Sequence, residues 1–126
     1  MTPSLRSTMT QHPHSIRLDE TVAMARKKMA SLGVRHLPVL EAGSLRGVVS
    51  DRDLKMVKGT GADVSIEDIC VDDPVVVDID TSVFVVAGIM ADTRVGSVLV
   101  TDEGKLVGIF TTVDACKTLA SLLQSS

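Results

Sequence analysis

The chain has 126 residues, 44% of them hydrophobic, enough for one compact domain, whereas either half alone buries too little surface to be stable, so the halves are expected to share a core. A formal net charge of −3 with mixed signs argues against a sequence-independent grip on nucleic-acid phosphates, and the lack of Trp and Tyr, with only Phe84 and Phe110 as aromatics, leaves no stacking platform for single strands. No apolar run reaches bilayer-spanning length, residues 1–8 contain no leader-like apolar core, and Cys70 and Cys116 form neither a CxxC pair nor a disulfide framework. A soluble cytoplasmic protein with reduced thiols and no membrane insertion is expected.

In chain order, residues 1–8 are polar and read as a flexible N-terminus. Met9-Thr10-Gln11-His12-Pro13-His14 leads into Ser15-Ile16-Arg17-Leu18, whose alternation predicts a short strand or an extended segment. Asp19 reads as an N-cap, Val22, Ala25, Met29 and Leu32 share one helical face, and Gly33 stands where a helix stops, so residues 20–32 are predicted helical, with Arg26-Lys27-Lys28 on the solvated side. Leu37-Pro38-Val39-Leu40 and Leu45-Arg46-Gly47-Val48-Val49 read as strands joined by a turn at Glu41-Ala42-Gly43-Ser44. Ser50-Asp51-Arg52-Asp53 opens a second helix towards Gly59, and residues 60–68 read as a linker in which Ser65-Ile66-Glu67-Asp68 adds a helical turn.

The remainder repeats what precedes it. Gly47-Val48-Val49-Ser50-Asp51-Arg52-Asp53 returns as Gly108-Ile109-Phe110-Thr111-Thr112-Val113-Asp114, so that Asp114 lies 61 positions after Asp53, and the same offset carries Pro13 to Pro74, Val22 to Val83, Met29 to Met90 and Val39 to Val100 without a gap. Residues 9–59 are thus the first repeat and 69–119 the second, with 120–126 as a C-terminal extension of the last helix. By propensity, Val83-Phe84-Val85-Val86 looks like a strand; the repeat makes it the start of a helix. Leu119, Leu122 and Leu123 give the last helix more apolar surface than a solvated tail needs, which points to packing or an oligomer contact.

Ser50-x-x-Asp53 and Thr111-x-x-Asp114 each match the capping box, in which hydroxyl and carboxylate satisfy the first free N–H groups of a helix. His12 and His14 flank Pro13 without an accompanying Cys or carboxylate pair, so no metal site is expected. No Gly-x-Ser-x-Gly, Walker loop or His-Glu-x-x-His occurs, and no nucleophile can be paired with a base, so no catalytic residues are expected.

The doubled order of strand, helix, strand, strand, helix, with Gly-Val-Arg-His-Leu-Pro-Val at 33–39 and the Gly-x-x-[Ser/Thr]-x-x-Asp close, resembles a tandem pair of cystathionine-β-synthase-type (CBS) domains, the Bateman module, over most of the chain. The resemblance implies a mixed α/β (α+β) fold of two β-α-β-β-α repeats packed with pseudo-twofold symmetry. It implies clefts for an adenosine-containing ligand such as AMP, ADP, ATP or S-adenosylmethionine, and a regulatory role towards an enzyme or transporter. By the same resemblance Arg35 and His36, followed by Pro38, approach the phosphates of a ligand whose ribose meets Asp114 beside Thr111. A second cleft pairs Ser50 and Asp53 with Gly96 and Ser97, which stand where the basic pair would be.

The chemistry is suitable, because a carboxylate such as Asp53 or Asp114 can accept both vicinal ribose hydroxyls and the strand-to-helix junction at Ser50 or Thr111 favours an anion. Gly47 and Gly108 would let the backbone approach a ligand closely. Pro13, Ile16, Val75 and Val77 are candidate apolar walls for the base, although such residues also suit an ordinary core. A homodimer is expected, since the apolar last helix of so thin a module calls for cover. The alternative is a structural interaction module of the same fold with vestigial clefts.

Overall fold

A computed structural model describes residues 3–125. The elements are α1 (Leu5–Thr8), β1 (Thr10–Gln11), β2 (Ile16–Arg17), α2 (Val22–Leu32), β3 (His36–Glu41), β4 (Ser44–Ser50), α3 (Asp51–Lys55), a 3-10 turn (Ile66–Asp68), β5 (Val71–Asp72), β6 (Val76–Asp78), α4 (Val83–Thr93), β7 (Ser97–Asp102), β8 (Lys105–Thr111) and α5 (Thr112–Gln124). They form a mixed α+β fold with two four-stranded sheets.

Contacts divide the chain into a contiguous unit, His14–Pro74, and a split unit made of the residues up to Pro13 together with those from Val75 onward. In the contiguous unit the strand order is β2-β3-β4-β5, with β2 parallel to β3 and the other pairs antiparallel. Val22, Ala25 and Met29 of α2 close over Leu37, Val39 and Val49 of the sheet. The split unit repeats this arrangement in the order β1-β8-β7-β6, where Val83, Val86 and Met90 of α4 meet Val98, Val100 and Phe110. Buried apolar side chains therefore form two clusters, one in each unit, where the length argument anticipated a single core.

The reason lies in two short segments that leave their own repeat. β5, at the start of the second repeat, closes the first sheet against β4, and β1, at the start of the first repeat, closes the second against β8. Each is preceded by a helical turn that plugs the core it serves, through Ile66 at 0% and Leu5 at 1% exposure. Residues 5–8, read from composition as part of a flexible start, are thus helix α1, capped by Ser4, whose side chain accepts from the Ser7 N–H at 3.1 Å. The linker is equally engaged: Val22 N–H donates to the Val64 carbonyl at 2.9 Å and Ile66 N–H to that of Glu20 at 2.8 Å. Gly61, at φ +76°, lies so close to Val22 that a Cβ there would collide with the valine side chain.

The run beginning at Val83 is helical, as the repeat requires. Its cap and that of α2 are Ser82 and Thr21, 61 positions apart, whose hydroxyls accept from Val85 N–H at 3.3 Å and Met24 N–H at 3.2 Å. Asp19, expected to cap α2, instead accepts from Arg17 Nε at 3.0 Å in the turn before it. Both hairpins turn on two residues of positive φ, Ala42-Gly43 and Glu103-Gly104, the geometry that matches strand twist.

Helices α2 and α4 each end in a left-handed residue, Gly33 at φ 68° in the first and Arg94 at φ 63° in the second. An arginine carries a Cβ penalty in that conformation that glycine avoids. Arg94→Gly is therefore expected to raise stability by roughly 1 kcal/mol, read as a higher urea midpoint at unchanged slope; a lower midpoint would contradict the account.

The two closing helices differ in length, 5 residues for α3 and 13 for α5. Arg26, expected on the solvated side of α2, ends α3: its guanidinium donates to the carbonyls of Leu54, Val57 and Gly59, each at 2.7 Å. The split unit has Ala87 at the equivalent position and lets its helix run on. α5 packs against the rest of its unit through Asp114 and Thr118 and turns Val113, Leu119 and Leu122 outward.

Candidate functional site

In the contiguous unit, Arg35, His36, Ser50 and Asp53 gather at one end of the sheet. His36 at the start of β3 lies opposite Ser50 at the end of β4, and Asp51 N–H donates to the Arg35 carbonyl at 2.9 Å. The capping box is formed: Asp53 N–H donates to Ser50 Oγ at 3.2 Å, and Ser50 N–H to Asp53 Oδ2 at 2.9 Å. Asp53 Oδ1 has no partner among the described residues. Partial burial pushes the His36 imidazole below its ordinary pKa, with Asp51 and Asp53 opposing and Arg35 acting in the same direction as burial, which favours the neutral ring. Arg35 is exposed.

The split unit holds the matching arrangement without the cation. Gly96 and Ser97 replace Arg35 and His36, Thr112 N–H donates to the Gly96 carbonyl at 3.2 Å, and Ser97, buried, lies opposite Thr111. Here too the capping box forms, Asp114 N–H donating to Thr111 Oγ1 at 3.3 Å and Thr111 N–H to Asp114 Oδ2 at 3.0 Å. Asp114 is only 7% exposed, and its carboxylate receives two further hydroxyls: Thr111 Oγ1 at 3.2 Å to Oδ2, and Thr10 Oγ1 at 3.4 Å to both oxygens.

Thr10 is the residue that sequence reading missed. It reaches Asp114 because β1 pairs with β8, with Thr10 opposite Ile109. The only signal for it was a difference between the repeats, since Val71 stands 61 positions later. Both carboxylates are thus capping groups, as the plain reading of the motifs requires. The cap, however, also fixes their direction: Oδ2 is held by backbone, whereas Oδ1 is unengaged in Asp53 and receives only the long Thr10 contact in Asp114. Capping and ligand binding are compatible in this geometry.

Other expected features are used by the chain itself. A Cβ on Gly47 would strike the Val71 carbonyl of β5, and one on Gly108 the Met9 thioether, so these glycines admit the exchanged segments rather than a ligand. Ile16 is 1% exposed within its unit's core, and Val75 and Val77 pack against the core of the split unit. Three of the four candidate base walls therefore serve packing, because alternation in these strands sends those side chains to the covered face. Pro38 is buried on β3, and Pro13 is half-buried outside both clusters.

Among the described residues no group of three or more His, Cys, Asp or Glu is placed to hold a metal ion, and His12 and His14 are both exposed. No described helix is long and apolar enough to cross a membrane. Cys70 and Cys116 are free thiols.

The family model described as CBS domain matches the chain twice, over residues 5–58 and 66–121. A CBS domain-containing protein of Dictyostelium discoideum is 27% identical over 135 residues, covering 95% of this chain and 93% of its own. The structure of CBSX2 in complex with AMP is 25% identical, covers 98% of both chains and superposes with a TM-score of 0.80. The CBS domain pair of the protein MJ0100, solved with 5′-methylthioadenosine and S-adenosyl-L-methionine, is 21% identical, covers 96% of this chain and 98% of its own, and superposes with a TM-score of 0.87.

Proposed function

Since the chain belongs to the CBS-domain family and carries that domain twice, we propose that it is a regulatory module that binds an adenosine-containing ligand, such as AMP, ADP, ATP or S-adenosylmethionine, and signals its occupancy to a partner enzyme or transporter. The observation that carries this reading is the pair of capped carboxylates, Asp53 and Asp114, each oriented by backbone through Oδ2. A ribose presents two adjacent hydroxyls, and a pre-oriented carboxylate accepts them without first losing rotational freedom. Arg35 and His36 are the proposed phosphate contacts, with Ser50 in the same unit, and Gly96, Ser97 and Thr111 are their counterparts in the split unit. The AMP bound by CBSX2 supports this choice of ligand class. Signalling would follow from unequal affinity of the ligand for two conformations of the module.

Thermal melts followed by circular dichroism test the reading directly. A ligand at a hundredfold its dissociation constant is expected to stabilise the folded chain by about 2.7 kcal/mol. No shift with AMP, ATP, adenosine or S-adenosylmethionine would leave the purely structural module as the better account.

One observation favours association as part of the function. The outward face of α5 carries Val113 and Leu119, 56% and 57% exposed, and Phe84 of α4 in the same unit is 71% exposed. A homodimer that covers this face is the oligomeric state we propose.

A further inference from the structure

The contiguous unit carries a cleft of about 550 Å³ at the hairpin end of its sheet, away from His36 and Ser50. The six residues of β3 put about 17 Å of strand between the two places. The floor of the cleft is apolar: Leu18 is 6% exposed, Leu40 is half-buried, and the Leu18 N–H donates to the Leu40 carbonyl at 2.9 Å. Its rim is charged, with Arg17, Asp19, Glu41 and Glu67. Backbone fixes Glu67 there, its N–H donating to the Leu18 carbonyl at 3.1 Å, while its carboxylate has no partner among the described residues. We propose that this cleft binds a guanidinium group on an aliphatic stem, the side chain of an arginine that the chain itself does not supply.

The split unit shows which chemistry this place accepts. Asp102 lies 61 positions after Glu41, and Glu67 lies 61 positions after Arg6, so the pair Glu41 and Glu67 corresponds to Asp102 and Arg6. Their structural settings match as well. Glu41 and Asp102 each end the first strand of a hairpin, opposite Ser44 and Lys105, and Glu67 and Arg6 each follow the side chain that plugs the core, Ile66 or Leu5. In the split unit the Arg6 guanidinium faces the Asp102 carboxylate at 3.9 Å. In the contiguous unit an acid replaces that guanidinium, which leaves the cation to come from outside. The two arginines nearby are already engaged: Arg17 Nε donates to Asp19 at 3.0 Å, and Arg46 donates to Glu41 Oε1 at 3.0 Å and faces Asp72 at 3.5 Å. Glu20 adds a further carboxylate, accepting from the Arg17 N–H at 2.7 Å. These two arginines therefore stand against five carboxylates, Asp19, Glu20, Glu41, Glu67 and Asp72, all within one unit. The leucine floor suits the methylenes of a long basic side chain. A guanidinium fits better than an ammonium, because its planar fork can donate to two carboxylates and it gives up water more readily.

Titration of the isotope-labelled full chain with Nα-acetyl-L-arginine amide, followed by backbone NMR shifts, tests the proposal. Shifts are expected to cluster at Leu18, Leu40, Gly43 and Glu67 and to saturate in the millimolar range, as suits a partly screened ion pair with a covered stem. The uncharged citrulline analogue should move none of them, and the lysine analogue should bind more weakly. Glu67→Gln is expected to weaken binding about two- to fivefold, the size of one exposed charge contact. Glu67→Arg, which recreates the charge arrangement of the split unit, should abolish binding, whereas Asp92→Asn, at an exposed acid of α4, should leave it unchanged. Glu67 is itself exposed, so both of its variants should keep native circular dichroism. A glycyl-arginyl-glycine peptide with blocked ends distinguishes the sources of the guanidinium. Tighter binding than the capped amino acid identifies a polypeptide partner and equal binding a small ligand, and either result supports the site. Absent shifts, shifts scattered over the acidic surface, equal binding of citrulline, or undiminished binding by Glu67→Arg would overturn it. The adenosine reading stands or falls separately, since its contacts lie at the other end of the sheet.

Discussion

Leu5→Ala is expected to cost the split unit about 2–5 kcal/mol, the range for truncating a buried leucine whose surroundings collapse only in part. Such a loss is large for a side chain in a stretch whose composition reads as a loose terminus. Leu5 is 1% exposed and belongs to the cluster of Val86, Val98 and Phe110, so its removal opens a cavity beneath α1. The neighbouring Arg6→Ala supplies the control: its 3.9 Å contact with Asp102 joins two exposed side chains, and its loss should change stability by less than about 0.5 kcal/mol. Ile66→Ala should match Leu5→Ala, because Ile66 occupies the same place in the contiguous unit. Urea denaturation measures all three, and a Leu5→Ala midpoint within error of Arg6→Ala would remove the structural role assigned to the first turn.

Asp114→Ala is expected to weaken ligand binding more than Asp53→Ala, and to destabilise the protein more as well. The two carboxylates make the same cap, but Asp114 is buried and Asp53 half-buried. Without the Asp114 carboxylate, the Thr111 N–H and the Thr10 hydroxyl lose their acceptor where water has little access, a cost of about 1–3 kcal/mol. The Ser50 N–H, near the surface, can turn to solvent instead, so the loss at Asp53 should stay near 1 kcal/mol. Asp114→Asn separates the two roles: an amide oxygen can still cap, so stability should largely return, whereas the charged acceptor for a ribose is gone. Melting temperature and AMP affinity measured on the three variants give the comparison, and equal losses at the two aspartates would contradict it.

Much of this architecture is legible in the sequence because the chain states it twice. Val83-Phe84-Val85-Val86 has the composition of a strand, and only its alignment with Val22 and Ala25 marks it as helix; α4 bears this out. The hairpins and both capping boxes were equally plain, since turn residues and caps are local chemistry. What composition hid was the exchange of β1 and β5, two residues each, too short to carry any periodicity. The clue was present in the offset, where Ser4-Leu5 precedes Ser65-Ile66 by the same 61 positions, but a polar context masked the buried leucine. Arg26 was likewise opaque: its three carbonyl partners lie 28 to 33 residues away, and nothing in a helical pattern marks a side chain that will end a different helix. At the site, the residue types were readable and the partner of Asp114 was not, because Thr10 arrives from 104 positions earlier.

The sheet that β1 and β8 complete imposes an order on how the protein can be made. The pairing of β2, β3, β4 and β5 needs nothing beyond Pro74, so that sheet can form as soon as its own residues leave the ribosome. β1 leaves first and must wait for β8, and with some 90 residues between Gln11 and Lys105 the delay is roughly 5 to 20 s at a synthesis rate of about 5–20 residues per second. For that interval Leu5 and Met9 have no core to enter, which leaves the segment from α1 to β1 open to a chaperone or to a neighbouring polypeptide.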